Sequence, residues 1–146
     1  MKLVLASHGG LGCEMIRAVA MILGVSVLEK AKCVELLEGE SLENYYEKLS
    51  KSVDGETIVL CDLFGGTPSR AALMLLQEGK VKAVLTGFNM AMVIDLLSNG
   101  ASSAEDAAKS ARDAGLQGIR AFIGPSLSEV TESPGESFYR KNKEQI

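Results

Sequence analysis

Two rhythms of apolar and polar positions alternate along this chain. Short apolar runs bounded by glycine, proline or charge recur near its start, at 33–37, at 57–61, at 81–85 and at 119–123. They predict strands at 2–7, 31–37, 57–61, 81–85 and 119–123, with Thr-Ile-Val-Leu-Cys at 57–61 the clearest because it is β-rich and uninterrupted. Between the runs the period lengthens. Apolar residues at 11, 15, 16, 19, 20, 22 and 23 follow helical spacing, and Gly24 closes that helix. Ser41, with Asn44 at N3, opens a second helix to about residue 52. Thr67 as N-cap and Pro68 at N1 open a third, running to Gly79. Asn89 caps a fourth over 90–97, and Ser102 or Ser103 caps a fifth, with acid in its first turn, up to Gly115.

Strands alternating with helices over the first hundred residues predict an α/β fold: a mostly parallel, doubly wound sheet with helices on both faces. The domain is expected over residues 1–124. Residues 125–146 are rich in Ser, Glu and Lys, contain Pro134-Gly135 and read as a polar C-terminal tail or linker remnant. In open parallel sheets, ligands bind beyond the carboxyl ends of the strands. His8 and Asp62 each lie just past a predicted strand end, so both fall on that rim.

Composition narrows the chemistry. A net charge of -4, no Trp and 5% aromatic residues speak against nucleic acid as a partner, which needs clustered positive charge or stacking surfaces. The longest apolar stretch, 18–28, is broken by Gly24 and Ser26 and is far shorter than the roughly 20 residues of a membrane span. The first six residues are too short for a secretory signal, so a cytoplasmic location is expected. Cys13, Cys33 and Cys61 form no C-x-x-C pair, and the odd count argues against a disulfide framework. One histidine cannot build a zinc site, and neither metal nor cofactor is expected.

On the rim, each feature has two readings. His8 is either a packed or surface imidazole, or a nucleophile or general base placed before Gly9, Gly10 and a helix N-terminus that favours anions. Asp62 is either a turn residue or a carboxylate that fixes the imidazole tautomer. Gly65, Gly66, Thr67 and Ser69 form either a tight capped turn or a cradle of amides and hydroxyls suited to a phosphoryl group. Gly9-Gly10-Leu11-Gly12 matches neither nucleotide-binding glycine signature. The methionines at 15, 21, 74, 90 and 92 fit core packing. Asn89 reads as a cap on the same rim, and Arg70 as a solvated residue or a partner contact.

Ser7-His8-Gly9, Asp62-Leu63-Phe64-Gly65-Gly66-Thr67-Pro68 and Gly87-Phe88-Asn89-Met90 together resemble the mannose-family IIA component of the bacterial sugar phosphotransferase system, over residues 1–124. Ala91 departs from the pattern, which has proline there. The resemblance implies that His8 accepts a phosphoryl group from the phosphocarrier HPr through Nε2 and passes it to a IIB component. It implies that Asp62 orients His8 and that the membrane IIC and IID components are met only indirectly; in the rim reading Gly9, Gly10, Gly65, Gly66, Thr67 and Ser69 are the residues expected to hold the phosphoryl oxygens. It also implies a homodimer in which the strand 119–123 crosses, antiparallel, to a second subunit. Two rival readings fit the residues less well. A histidine phosphatase would have arginine at Ser7 and a second histidine, and this chain has neither. A IIA-like regulatory module, or a relative serving dihydroxyacetone phosphorylation, fits less well with intact His8 and Asp62 and with the Phe64-Gly65-Gly66 loop.

Overall fold

The computed structural model describes residues 2–131. Its central strand β1, Lys2–His8, buries five consecutive residues, and β3, Thr57–Cys61, buries all five of its own. Continuous burial explains why these strands read as unbroken apolar runs: both faces of a parallel sheet are covered. Helix α1 (Leu11–Leu23) and a 3₁₀ turn (Val25–Glu29) lead to β2 (Ala31–Leu36), and α2 (Leu42–Ser50) leads to β3. Helix α3 (Thr67–Gln77) leads to β4 (Ala83–Thr86), followed by α4 (Met90–Ser98) and α5 (Ala104–Gln117). The sheet order is β2-β1-β3-β4, all parallel, with Leu5 opposite Cys33 on one side and Leu60 on the other.

The period-two alternation of strand side chains divides the core. Leu3, Leu5, Ile58 and Leu60 point to one face and pack with Ile16 and Val19 of α1, Val93 and Leu96 of α4 and Ala111 of α5. Val4, Ala6, Val59 and Cys61 point to the other and meet Tyr45 and Leu49 of α2 and Ala72 and Leu75 of α3. Each fully buried Leu or Ile here is worth ~2–5 kcal/mol on truncation to Ala. Tyr45 is wholly buried, and its hydroxyl donates to Val34 O at 2.8 Å; burial pushes its pKa up. No helix among the described residues is long and apolar enough to cross a membrane.

Several local expectations shift. The capping serine of α5 is Ser103, which accepts from Asp106 N, while Ser102 bonds the Asp106 carboxylate. The N-cap of α3 is Gly66 rather than Thr67, so Thr67 and Pro68 both lie inside the first turn. The expected strand over 119–123 shortens to β5, Phe122–Ile123, which pairs antiparallel with β6, Ser128–Glu129, in a hairpin of its own. The part of the expected tail at 132–146 lies outside the described residues.

The cysteines require the largest correction. Cys13 and Cys33, expected to be without partners, form a disulfide with Cα atoms 5.3 Å apart, leaving Cys61 as a buried free thiol. The pair spans 20 residues, the length of one helical crossover from β1 to its parallel neighbour β2. Motif spacing reads cysteines that are close along the chain. Here the helix packs back on the sheet and brings together two that are distant.

Candidate functional site

The chain leaves β1 toward β2 on one side and returns to place β3 on the other, so strand order reverses between β1 and β3. Such a switch point opens a crevice beyond the strand ends. His8 is the last residue of β1, and Asp62 follows the last residue of β3. The backbone N–H of His8 and its ring Nδ1 both approach Asp62 Oδ2, each at 2.9 Å. A carboxylate only accepts, so Nδ1 carries the proton and Nε2 of the neutral ring keeps its lone pair. The His8 side chain is 50% exposed and that of Asp62 only 8%, so the ring faces solvent while its anchor does not. Asp62 Oδ1 is buried and has no hydrogen-bond partner within the described residues.

Gly66 seats the ring. A Cβ at this position would lie 2.8 Å from His8 Cε1 and 3.4 Å from Nε2, so only glycine lets the imidazole rest against the α3 entrance. Beside Asp62, burial first and the neighbouring carboxylate second push the Cys61 thiol up to about 12, which keeps it neutral and unreactive.

Two buried serines shape the loops. Ser7 Oγ accepts from Gly12 N at 2.8 Å and donates to Gly9 O at 3.1 Å, closing the turn between β1 and α1. Ser69 Oγ accepts from Gly65 N at 2.9 Å and donates to Gly66 O at 3.0 Å, closing the loop between β3 and α3. These bonds revise the expected phosphoryl cradle. The hydroxyl of Ser69 and the amide of Gly65 are committed to each other, and the amide of Gly9, at a φ of +51°, donates to Leu36 O. The amides of Gly9 and Gly65 and the hydroxyl of Ser69 therefore shape the loops and are bonded within the protein.

Other donors remain at the helix starts. The amides of Thr67 and Ser69 precede the first intrahelical bond of α3, from Arg70 N to Gly66 O. Gly10 stands at the N-cap of α1, where Glu14 N is the first to bond back to it. Two helix N-termini thus converge near one imidazole, an arrangement that favours a multiply charged anion. Asn89 sits farther along the rim, where Oδ1 caps α4 at Met92 N and Nδ2 donates to Gly115 O, tying α4 to α5. Arg70 is exposed one turn into α3.

One feature of the rim escaped sequence reasoning. Leu11, Leu37, Leu63 and Phe64 are all at least half exposed, with Phe64 at 74%, and each lies in or beside a segment that follows a strand end. Apolar residues at 63 and 64, inside a glycine-rich loop, were the available signal, because loops facing water are ordinarily polar. A groove of about 350 Å³ follows the outer edge of β4 and reaches the rim at Asn89, lined in part by Val84, Thr86, Leu116 and Ile119. Neither His8 nor Asp62 reaches it.

A family model described as the PTS system fructose IIA component matches residues 2–112. The mannose-specific EIIAB component of Escherichia coli K12 is 22% identical over 139 residues, covering 90% of this chain. The chain spans 42% of that relative's length. The fructose-specific EIIA component of Bacillus subtilis is 24% identical over 102 residues, covering 66% of this chain and 68% of that protein. Among solved structures, the mannose/sorbose specific IIA subunit from Enterococcus faecalis superposes with a TM-score of 0.76 at 28% identity, covering 87% of this chain and 98% of that one.

Proposed function

Because this chain belongs to the mannose-family IIA components of the sugar phosphotransferase system, we propose that it is the cytoplasmic phosphoryl carrier of such a system, with His8 as the carrier residue. The Nε2 lone pair attacks the phosphorus of phosphorylated HPr. The donor's N–P bond breaks, a new N–P bond forms on His8, and a IIB component later takes the group by the same kind of displacement. Asp62 holds the proton on Nδ1 and stabilises the positive charge that develops on the ring during transfer. The amides at the start of α3, the Thr67 hydroxyl and the Gly10 turn face the phosphoryl oxygens without help from a metal. Transfer between two such carriers depends on positioning and charge. The exposed collar of Leu11, Leu37, Leu63 and Phe64 is where HPr and IIB seat in turn. The hydrogen bond from Nδ1 to Asp62 Oδ2, at 2.9 Å, carries this reading, since it leaves one defined nitrogen free.

Phosphoenolpyruvate, enzyme I and HPr, with a chelator present, are expected to add one acid-labile phosphoryl group per chain. His8→Ala is expected to add none. Acid-stable label that survives in His8→Ala would assign the acceptor to a hydroxyl instead.

The same reading gives the protein a second copy as partner. β4 is an edge strand of the described sheet, a groove runs along it, and Phe122 and Ile123 are 56% and 62% exposed. Exchange of β5 onto the β4 edge of a partner covers both surfaces. A full-length chain that sediments as a monomer at micromolar concentration would rule the exchange out.

A further inference from the structure

The Cys13–Cys33 bond stands outside the phosphoryl chemistry, yet it joins the two elements that flank the His8 turn. Cys13 is the third residue of α1, directly after Gly12, whose amide is held by Ser7. Cys33 lies in β2, the edge strand whose last residue, Leu36, accepts the bond from Gly9 N. The start of α1 has no side-chain cap, so the Ser7 bond and this disulfide tie it to the sheet ahead of the core residues Ile16 and Val19. Both cysteines are partly exposed.

We propose that Cys13 and Cys33 form a reversible thiol–disulfide exchange site whose oxidised state clamps the start of α1 and speeds phosphorylation of His8. The proposal rests on the carrier reading above, because in a reducing cytoplasm a disulfide persists only as an exchanging, redox-responsive one. The reductant is a dithiol. One of its thiolates attacks the Cys33 sulfur and forms a mixed disulfide, and Cys13 leaves as thiolate. Its second thiol then displaces Cys33, so the dithiol becomes a cyclic disulfide and the protein gains two S–H groups. Cys13 is the favoured leaving group because unpaired amides in the first turn of a helix stabilise a thiolate. Oxidation reverses the sequence with a low-molecular-weight disulfide, which is reduced to two thiols.

The test uses the full chain, equilibrated with either reduced or oxidised dithiothreitol, then denatured and alkylated. One free thiol is expected after oxidation and three after reduction. Single-turnover phosphorylation by saturating phospho-HPr is expected to be about tenfold slower, or somewhat less, in the reduced protein, a fraction of the ~10²-fold that a 1 Å misplacement costs. The double variant Cys13→Ser, Cys33→Ser, shown to be folded by circular dichroism, is expected to match the reduced protein and to ignore the redox state. Three alkylated thiols after oxidation would overturn the site, and equal rates in both states would overturn the clamp. Reversible cross-linking without phosphorylation in either state would leave the exchange site standing and overturn the carrier reading.

Discussion

The two loops that meet at the switch point are built alike but contribute differently. Each leaves a buried strand, contains a glycine pair, enters a helix and is closed by one buried serine that accepts an amide and donates to a carbonyl. The end of β1 supplies His8, the carrier residue proposed above. The loop after β3 supplies everything that holds it: Asp62 grips both the backbone and the ring of His8, and Gly66 forms the surface on which the ring lies. The imidazole is thus carried by one element and oriented by another, 54 residues later in the chain. Orientation across the sheet survives local motion of either loop better than orientation within one turn, because the strands beneath are hydrogen-bonded along their length.

That division predicts unequal sensitivity. Asp62→Asn, which keeps the shape and removes the charge, is expected to slow His8 phosphorylation by roughly 10³–10⁴-fold while the fold persists. Rapid-quench kinetics beside a circular dichroism spectrum check this, and a near-native rate would leave the two loops independent.

The glycine pairs sharpen the contrast. Gly66→Ala is expected to displace the ring and lower the rate by about 10²-fold. At Gly10, a Cβ meets only the end of the flexible Glu35 side chain, at 3.4 Å, so Gly10→Ala is expected to leave the rate within about threefold of native, since no reacting atom moves. Equal losses at both positions would mean that the ring is not seated on the β3 side.

The smallest effect falls where the loops are alike. Ser7→Ala and Ser69→Ala each remove two hydrogen bonds and leave a loop amide without its acceptor, a loss of ~1–3 kcal/mol in urea denaturation for either variant. A loss confined to one of them would show that the second serine is not a brace.

Much of the frame was legible because it depends on periodicity and burial. The run 57–61 reads as a strand and is one, since all five residues lie between two helical layers. Ser41 and Asn89 read as caps and accept the expected amides, because a cap is a bond between near neighbours. His8 and Asp62 could be placed on a common rim from the alternation of elements alone. At Gly9, Gly65 and Ser69 the residue type says that a donor exists, while its direction depends on the backbone around it. Gly9 N reaches a carbonyl of β2, and Ser69 turns back into its own loop.

What the order of residues determined by itself was the set of local conformations, the two-sided core and the chemistry available at the strand ends, all consequences of side-chain size, polarity and spacing. The tertiary structure alone decided that β1 and β3 would be neighbours, and with that the 2.9 Å contact that leaves Nε2 free. It also decided that Cys13 would meet Cys33 and that Gly66 would lie under an imidazole. Such contacts join segments far apart in the chain. No local preference specifies them, because their free energy appears only once packing has brought the segments together.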